Sequence, residues 1–252
     1  MLSFDFISKR FLVPLFYNSV NFLYPLRCQF CHKYLEAFPV KYLCSNCHEQ
    51  LMKHIVKVCV ICNKEAPVAE KTPFICKSCL NKPIPNIIFL SAGPYEGILK
   101  ELIHQLKYNH KHYIAYPLSI FLLDFIALQN IDLKSYDYIV PVPLSKTRLR
   151  ERGFNQSELI AKELSKWSKI PIKTNVLFRK YHKHQQVSLN RTERLNNLAG
   201  VFKINKKFLL QDKSLILIDD VKSTGSTIYF CSEKLFNAGV KKILSLTLAN
   251  NA

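Results

Sequence analysis

Hydrophobic positions follow two alternating patterns after residue 86. Short segments rich in apolar residues predict strands at 87–91, 138–142, 201–204, 214–221 and 242–249, and 170–176 is predicted as a strand with its connection. Apolar residues at helical spacing predict helices, which fall at 96–108, 116–128, 155–167 and 228–238. The polar, basic stretch 179–199 has no clear period, and we expect a mobile loop there. Strands that alternate with helices are typical of a parallel α/β sheet.

The first 27 residues are rich in apolar and aromatic side chains, but charged residues interrupt them. Because Asp5, Lys9 and Arg10 break the segment, no uncharged run reaches the roughly 18 residues that a membrane-spanning helix needs. No small-residue cleavage site follows. We therefore expect an amphipathic helix packed on the protein and a cytoplasmic location, with membrane association as the alternative.

Eight of the nine cysteines form four CxxC pairs, which are Cys28/Cys31, Cys44/Cys47, Cys59/Cys62 and Cys76/Cys79. Two sulfurs on one tight knuckle match the reach of a tetrahedral zinc ion, and a second knuckle completes the coordination. Disulfides are the alternative, and a reducing compartment disfavours them. Four pairs therefore predict two zinc ions.

The spacing of the knuckles favours a tandem repeat of two zinc ribbons. The gap from Cys31 to Cys44 resembles the gap from Cys62 to Cys76. The tandem arrangement puts Cys28, Cys31, Cys44 and Cys47 on one zinc ion and Cys59, Cys62, Cys76 and Cys79 on the other. A cross-braced pairing stays open from spacing alone. Cys231 has no partner and is expected to be a core residue.

An acidic pair closes the apolar run Leu215 to Ile218, and a turn of small residues follows it. Ligands of parallel sheets bind beyond the carboxyl ends of the strands. There Asp219 and Asp220 can accept hydrogen bonds from vicinal ribose hydroxyls or lie beside a hydrated magnesium ion. The turn opens a predicted helix, whose N–H groups form a monophosphate cradle. The segment therefore predicts a phosphosugar site.

This segment resembles the phosphoribosyl pyrophosphate signature of type I phosphoribosyltransferases. The resemblance implies phosphoribosyl pyrophosphate with magnesium as the ligand. The binding residues it implies are Asp219, Asp220, Ser223, Thr224, Gly225, Ser226 and Thr227.

A second candidate segment, 140–156, leaves a predicted strand through two prolines and enters a basic loop. If its strand is a neighbour of the strand that ends in Asp219, the basic residues lie at the same edge of the sheet. A pyrophosphate group needs such cations. We therefore assign Lys146, Arg148 and Arg152 to the same ligand, with a solvated helix start as the alternative.

The formal charge of +18 favours anionic partners, nucleic acid first and anionic membrane second. The segment 144–194 carries thirteen Lys or Arg residues against four Glu residues, with aromatic residues among them. Aromatic side chains in a basic groove can stack unpaired bases. An ordinary basic surface is the alternative. The predicted contacts to single-stranded DNA are Arg150, Arg179, Lys180, Lys183, Arg191 and Arg194.

Several segments together resemble the ComF family. They are the VPVPL and RGFNQ run of 140–156, the four CxxC knuckles, Tyr95-Glu96-Gly97 with Leu106-Lys107-Tyr108, the Gln185/Gln186 to Asn197 stretch and the phosphoribosyl signature. The resemblance implies a zinc-ribbon module on a type I phosphoribosyltransferase-like parallel sheet. We expect an N-terminal helix at 1–27, a double zinc ribbon at 28–82 and the phosphoribosyltransferase-like domain at 83–252.

The ComF resemblance implies a protein of natural transformation that handles imported single-stranded DNA. The first hypothesis is therefore a DNA-binding protein with a phosphoribosyl pyrophosphate site. An active transferase with an unidentified acceptor is the second. The third is an adaptor whose ribbons dock a helicase or an uptake protein. Because the loop 223–227 has no acid or base, no catalytic residue is assigned.

Overall fold

The computed structural model describes residues 26–35, 41–66, 74–180, 200–222 and 224–251. The expected N-terminal helix and the stretch 181–199 of the expected mobile loop lie outside these residues. In the described part of the chain, no helix has the length and hydropathy needed to cross a bilayer.

A parallel sheet of four strands forms the centre of the molecule, in the order β1-β6-β5-β2. Its strands are β1 (Ile87–Pro94), β2 (Tyr138–Pro141), β5 (Ser214–Lys222) and β6 (Lys242–Asn250). The run Leu215 to Ile218 is fully buried on both faces. This burial is the reason that it shows no polar alternation. The sheet confirms the predicted α/β class.

Helices cover both faces of the sheet. The helices in chain order are α1 (Ser45–Met52), α2 (Gly97–Tyr108), α3 (Ala115–Leu128), α4 (Lys146–Arg152), α5 (Gln156–Ser168) and α6 (Ser226–Asn237). One core contains the buried faces of α2, α3 and α5. The other core contains α6 and the opposite face of the sheet. The four predicted helices are confirmed to within two residues at each end.

Two strand predictions need correction. The range 170–176 was predicted as a strand, but Ile172 makes only an isolated bridge to Ile139. Pairing begins later, where β3 (Leu177–Arg179) and β4 (Phe202–Ile204) form a separate antiparallel sheet. The predicted strand 201–204 therefore exists, outside the main sheet. A three-residue strand carries too little periodicity to reveal its partner.

The basic loop predicted after Pro143 is also wrong, because residues Lys146–Arg152 form helix α4. Capping residues at both ends account for this helix. Ser145 Oγ accepts a hydrogen bond from the Arg148 N–H, and Gly153 closes the helix at φ 74°. The segment is therefore a capped helix that presents several cations.

The two ribbon segments pack differently. Cys28, Leu43 and Leu51 of the first segment belong to the core that contains α2, α3 and α5. The second segment forms its own small cluster, which contains Cys59, Phe74, Cys76 and Cys79. The connection between the segments runs against β1, where the Val56 N–H donates to the Ala92 carbonyl at 3.2 Å. The first ribbon thus shares the main core, whereas the second has its own.

The close approach of this connection to β1 predicts the effect of one substitution. A Cβ atom at Gly93 would overlap the His54 carbonyl oxygen, which is backbone and cannot rotate away. Gly93→Ala should therefore lower the free energy of unfolding by about 2 kcal/mol, as overpacking does. Urea denaturation measures this. Gly200→Ala, where a Cβ meets nothing within 4 Å, is the control and should stay within about 0.5 kcal/mol of the parent.

Candidate functional site

The chain changes face between β2 and β5, which are direct neighbours in the sheet. Helix α5, which follows β2 and the short exposed helix α4, packs in one core, and α6, which follows β5, packs in the other. Such a divergence opens a crevice at the carboxyl ends of the two strands, where ligands of α/β sheets bind. The two candidate segments, 140–156 and 219–227, meet at this crevice.

Asp219 and Asp220 lie near the carboxyl end of β5 in different surroundings. Asp219 Oδ1 accepts from Ser157 Oγ at 2.9 Å and from the Asp220 N–H at 2.9 Å. Asp220 Oδ1 lies 2.9 Å from Lys107 Nζ, and both side chains are mostly buried. Asp220 Oδ2 is buried with no hydrogen-bond partner among the described residues. A buried carboxylate oxygen in this state suits a cation or a hydroxyl donor.

Burial, reinforced by the Asp220 charge, raises the pKa of Asp219 to about 7. The hydrogen bonds from Ser157 and the Asp220 N–H act in the opposite direction, and so does the more distant Lys107 charge. The Asp219 carboxyl is therefore protonated part of the time near neutral pH. A cation or ligand that needs both carboxylates ionised must displace that proton.

The described loop residues form the start of α6. Gly225, at φ 75°, is its N-cap, and it has no side chain to cap the helix. The Thr227 and Ile228 N–H groups consequently have no partner within the helix. Thr224 Oγ1 and Ser226 Oγ are 2.8 Å apart, so their hydroxyls lie together beside these donors. Ser223, also predicted to bind the ligand, lies outside the described residues.

The GFNQ sequence links the two candidate segments. The Asn155 side-chain amide donates to the Val142 carbonyl at 2.9 Å, and its oxygen accepts from the Ser157 N–H at 3.0 Å. Asn155 therefore holds the exit of β2 against the start of α5. This arrangement points Ser157 Oγ at Asp219. Ser157 and Asn155 are positioning residues that the site assignment from sequence missed.

A basic cavity of about 420 Å³ lies beside the acidic pair. Its lining residues are Lys107, Tyr108, His110, Arg148, Glu151 and Arg152. Arg148 and Arg152 are thus brought to one cavity, whereas Lys146 is exposed and does not line it. The Arg152 guanidinium lies 5.0 Å from the centre of the Tyr108 ring and donates to Gln156 Oε1 at 3.0 Å. These contacts hold its charge at the rim of the cavity.

Lys107 is the charged residue that the sequence assignment missed. It connects the two halves of the site, because its side chain lines the basic cavity and its ammonium pairs with Asp220. Only its place in the Leu106-Lys107-Tyr108 motif of the family resemblance pointed to it.

The predicted nucleic-acid contacts are only partly described. Arg150 and Lys180 are exposed, and Arg179 is half-buried with its guanidinium 5.7 Å from the Phe202 ring centre. Burial, followed by the Arg148 charge, lowers the pKa of Arg179. The small sheet thus brings Arg179 within electrostatic range of Arg148, which lines the basic cavity. Lys183, Arg191 and Arg194 lie outside the described residues.

The eight paired cysteines form two groups in the tandem arrangement, not the cross-braced one. Within each group the four sulfurs lie within 4.8 Å of one another. Zn–S bonds of about 2.3 Å at tetrahedral angles set sulfurs about 3.8 Å apart. Cys31 and Cys44 are 3.7 Å apart, and Cys62 and Cys76 are 3.6 Å apart. Both groups therefore fit a tetrahedral zinc ion.

In the second group the backbone favours the thiolate of Cys59, whereas burial and the neighbouring thiols raise the pKa of Cys79 to about 12. Burial opposes ionisation of Cys59, but backbone hydrogen bonds near Cys76 and Cys62 outweigh it and lower the pKa of the thiol to about 6. Since zinc binds the thiolate, this cradle favours metal binding.

The chain is similar to three bacterial proteins. Competence protein F of Haemophilus influenzae is 30% identical over 219 residues, which cover 86% of each chain. The DNA utilization protein YhgH of Escherichia coli K12 is 33% identical over 67% of this chain and 74% of its own. Competence protein ComFC of Bacillus subtilis is 28% identical over 83% of this chain and 85% of its own.

Solved structures that align with the chain include two phosphoribosyltransferases. The purine enzyme from Pyrococcus horikoshii aligns with 66% of this chain and 80% of its own, at 19% identity and a TM-score of 0.34. The adenine enzyme from Leishmania tarentolae aligns with 66% and 92%, at 11% identity and a TM-score of 0.38. No family model matches the chain.

The chain is 30% identical to competence protein F along most of both proteins. The two four-cysteine groups and the parallel sheet agree with the family resemblance seen in the sequence. The chain belongs to the ComF family.

Proposed function

We propose that this protein handles single-stranded DNA in natural transformation and binds phosphoribosyl pyrophosphate with magnesium at the carboxyl edge of its sheet. The observation that carries the proposal is the contact between the Asp219/Asp220 pair and the basic cavity, which Lys107 makes by lining the cavity and pairing with Asp220. The uncapped start of α6 follows the acidic pair in the chain. The names of the similar proteins, competence protein and DNA utilization protein, support the DNA part.

Each part of the ligand has a chemical counterpart at the crevice. The Thr227 and Ile228 N–H groups and the neighbouring hydroxyls suit a dianionic 5-phosphate. The carboxylates of Asp219 and Asp220 suit the ribose hydroxyls and a hydrated magnesium ion, which supplies charge neutralisation for the pyrophosphate when bound. Arg148, Arg152 and Lys107 suit the pyrophosphate oxygens.

The Lys107–Asp220 pair explains how the free protein tolerates two adjacent carboxylates. A buried carboxylate without a counter-charge is costly, and the ammonium 2.9 Å away offsets that cost. A cation held by Asp220 would supply the counter-charge in place of Lys107 and would leave the lysine free to pair with the polyphosphate. We propose that Lys107 pairs with the Asp220 carboxylate in the free protein and with the pyrophosphate oxygens when the ligand is bound.

An active phosphoribosyltransferase is the second candidate, and the raised pKa of Asp219 favours it. A carboxyl with a pKa of about 7 is matched to proton transfer near neutral pH. In this reaction the bond from the anomeric carbon to pyrophosphate breaks and a bond to the acceptor forms. Asp219 then takes the acceptor's proton. Pyrophosphate release that requires an acceptor distinguishes this candidate from ligand binding alone.

The four-cysteine groups are proposed to hold two structural zinc ions. Because all four ligands of each group come from the chain, such a site has no open position for chemistry. Its contribution is to folding. We also propose the division into a ribbon module at 28–82 and an α/β domain at 83–252.

Removal of the acidic pair should abolish sugar-phosphate binding. The double variant Asp219→Asn/Asp220→Asn keeps the side-chain shape but loses both charges. Isothermal titration with phosphoribosyl pyrophosphate and magnesium should show at least about a 100-fold loss of affinity, since charged hydrogen bonds contribute about 1.5–3 kcal/mol each. Asp212→Asn, an exposed change remote from the crevice, is the control and should bind as the parent does. Equal binding by the double variant and the parent would contradict the assignment.

Loss of one zinc ligand should have unequal effects in the two ribbons. Metal analysis of the parent should give two zinc ions, and Cys47→Ser or Cys79→Ser should each leave one. Cys47→Ser should lower the melting temperature more, because its ribbon belongs to the main core, whereas Cys79 lies in a separate cluster. Cys231→Ser is the control and should keep both ions. Equal melting shifts for the two ligand variants would argue against the difference in packing.

Binding to single-stranded DNA should weaken as salt rises, because phosphate contacts release counterions. In anisotropy titrations, Arg150→Gln and Lys180→Gln should each reduce the slope of log K against log salt by about 0.7. Lys53→Gln, an exposed change on the first ribbon, should leave the slope unchanged. Absence of binding by the parent at low salt would end the DNA part of the proposal.

A further inference from the structure

A second cavity, of about 370 Å³, opens at the start of α6. We name it the ribbon cleft. Its walls are the knuckle of the second ribbon, strand β1, the end of β5 and the first turn of α6. Its lining residues include Cys62, Asn63, Phe89, Lys222, Gly225 and Tyr229. Thr224, Gly225 and Ser226 thus border this cleft, and they belong to the turn that follows Asp219 and Asp220 in the chain.

The knuckle is fixed in place as one wall of the cleft. The Ser91 N–H of β1 donates to Asn63 Oδ1 at 3.4 Å, and Asn63 itself adopts φ 61°. This contact attaches the second ribbon to the edge of the sheet. Because Cys62 belongs to the four-cysteine group beside Asn63, the shape of the wall depends on that group.

The two ends of the cleft differ in chemistry. At one end, Lys222 extends beneath Gly225 and lines the cleft with its side chain. This end suits a phosphate group. At the other end, the Phe89 and Tyr229 rings are near parallel, with an interplanar angle of 24° and centroids 6.4 Å apart. Tyr229 is 51% exposed, so its ring is accessible to a ligand.

A ligand that satisfies both ends carries an anion and a planar ring on one short unit, as a nucleotide does. We propose that the ribbon cleft binds one nucleotide unit of single-stranded DNA, with its base against Tyr229 and Phe89 and its phosphate at Lys222. The net charge of +18 favours a polyanionic strand over a free mononucleotide as the source of that unit. This inference rests on the proposed binding of single-stranded DNA and assigns a place to one of its bases.

The Tyr229 ring gives the sharpest test, because removal of a stacking ring weakens only contacts to bases. Anisotropy titrations of the full chain should use labelled oligothymidylate and an abasic strand of equal length. Tyr229→Leu should raise the Kd for oligothymidylate about tenfold, since base stacking is worth about 1–3 kcal/mol. It should leave the Kd for the abasic strand unchanged. Tyr229→Phe, which keeps the ring, should bind both strands like the parent.

Trp167→Leu is the matched control, because Trp167 is a half-exposed aromatic residue on α5 and does not line the cleft. It should leave both affinities unchanged. Lys222→Gln is a second, independent variant that stays informative if Tyr229→Leu fails to fold. It should weaken both strands and lower the salt slope by about 0.7, as expected for one lost phosphate contact.

The outcomes separate this inference from the proposal on which it rests. A parent that binds neither strand overturns the DNA function itself. If the parent binds DNA, two results for Tyr229→Leu overturn the cleft proposal alone. One is an unchanged affinity for oligothymidylate, and the other is an equal loss of affinity for both strands. If Tyr229→Leu weakens binding of thymidine monophosphate but not of oligothymidylate, the ligand is a free nucleotide. That result also overturns the proposal that the cleft binds a unit of single-stranded DNA.

Discussion

Burial of two adjacent carboxylates at the end of a central parallel strand is the constraint on which the site depends. Strand β5 lies between two parallel neighbours, so its last residues leave the core beside other chain segments. Asp219 and Asp220 are charged groups in a position that water reaches poorly. Lys107, Ser157 and the local backbone supply the compensating contacts. Each of these partners comes from a different element, which ties α2, α5 and β5 together.

The same constraint connects structure to chemistry. Compensation is incomplete, because Asp220 Oδ2 has no partner in the described part of the chain and burial raises the pKa of Asp219 to about 7. An incompletely satisfied acidic pair favours a ligand that brings donors and positive charge. The neighbouring basic cavity favours a negatively charged group on the same ligand. Ligands that contain sugar hydroxyls, phosphate and a bound cation suit both at once.

The zinc ribbons have unequal roles in this architecture. The first is a layer of the main core, with Gln105 of α2 donating to the Gln29 carbonyl at 2.9 Å. The second has its own cluster and is attached at the sheet edge through Asn63. A segment attached in this way adds a wall to the protein surface without taking part in its central packing. The ribbon cleft exists because of that attachment.

The sequence alone determined what is encoded within short segments. Apolar segments identified the strands of the main sheet, CxxC knuckles identified candidate metal ligands, and Asp219 with the TGST turn identified a candidate phosphosugar site. At 146–152 a basic loop was favoured and a helix start was only the alternative, although Ser145 and Gly153 are local signals for helix α4. Residues 170–176 were misassigned because apolar character does not distinguish a strand from a buried connection.

Only the tertiary structure decided which distant residues meet. Lys107 lies 113 positions before Asp220, and Ser157 lies 62 positions before Asp219, so no periodicity connects them. Spacing left the knuckle pairing open, and packing resolved it as tandem. The ribbon cleft likewise joins Asn63, Phe89 and Tyr229 from three separate segments. Local patterns specify elements because they act within a few residues, whereas a site depends on the burial and charge compensation that arise when those elements pack together.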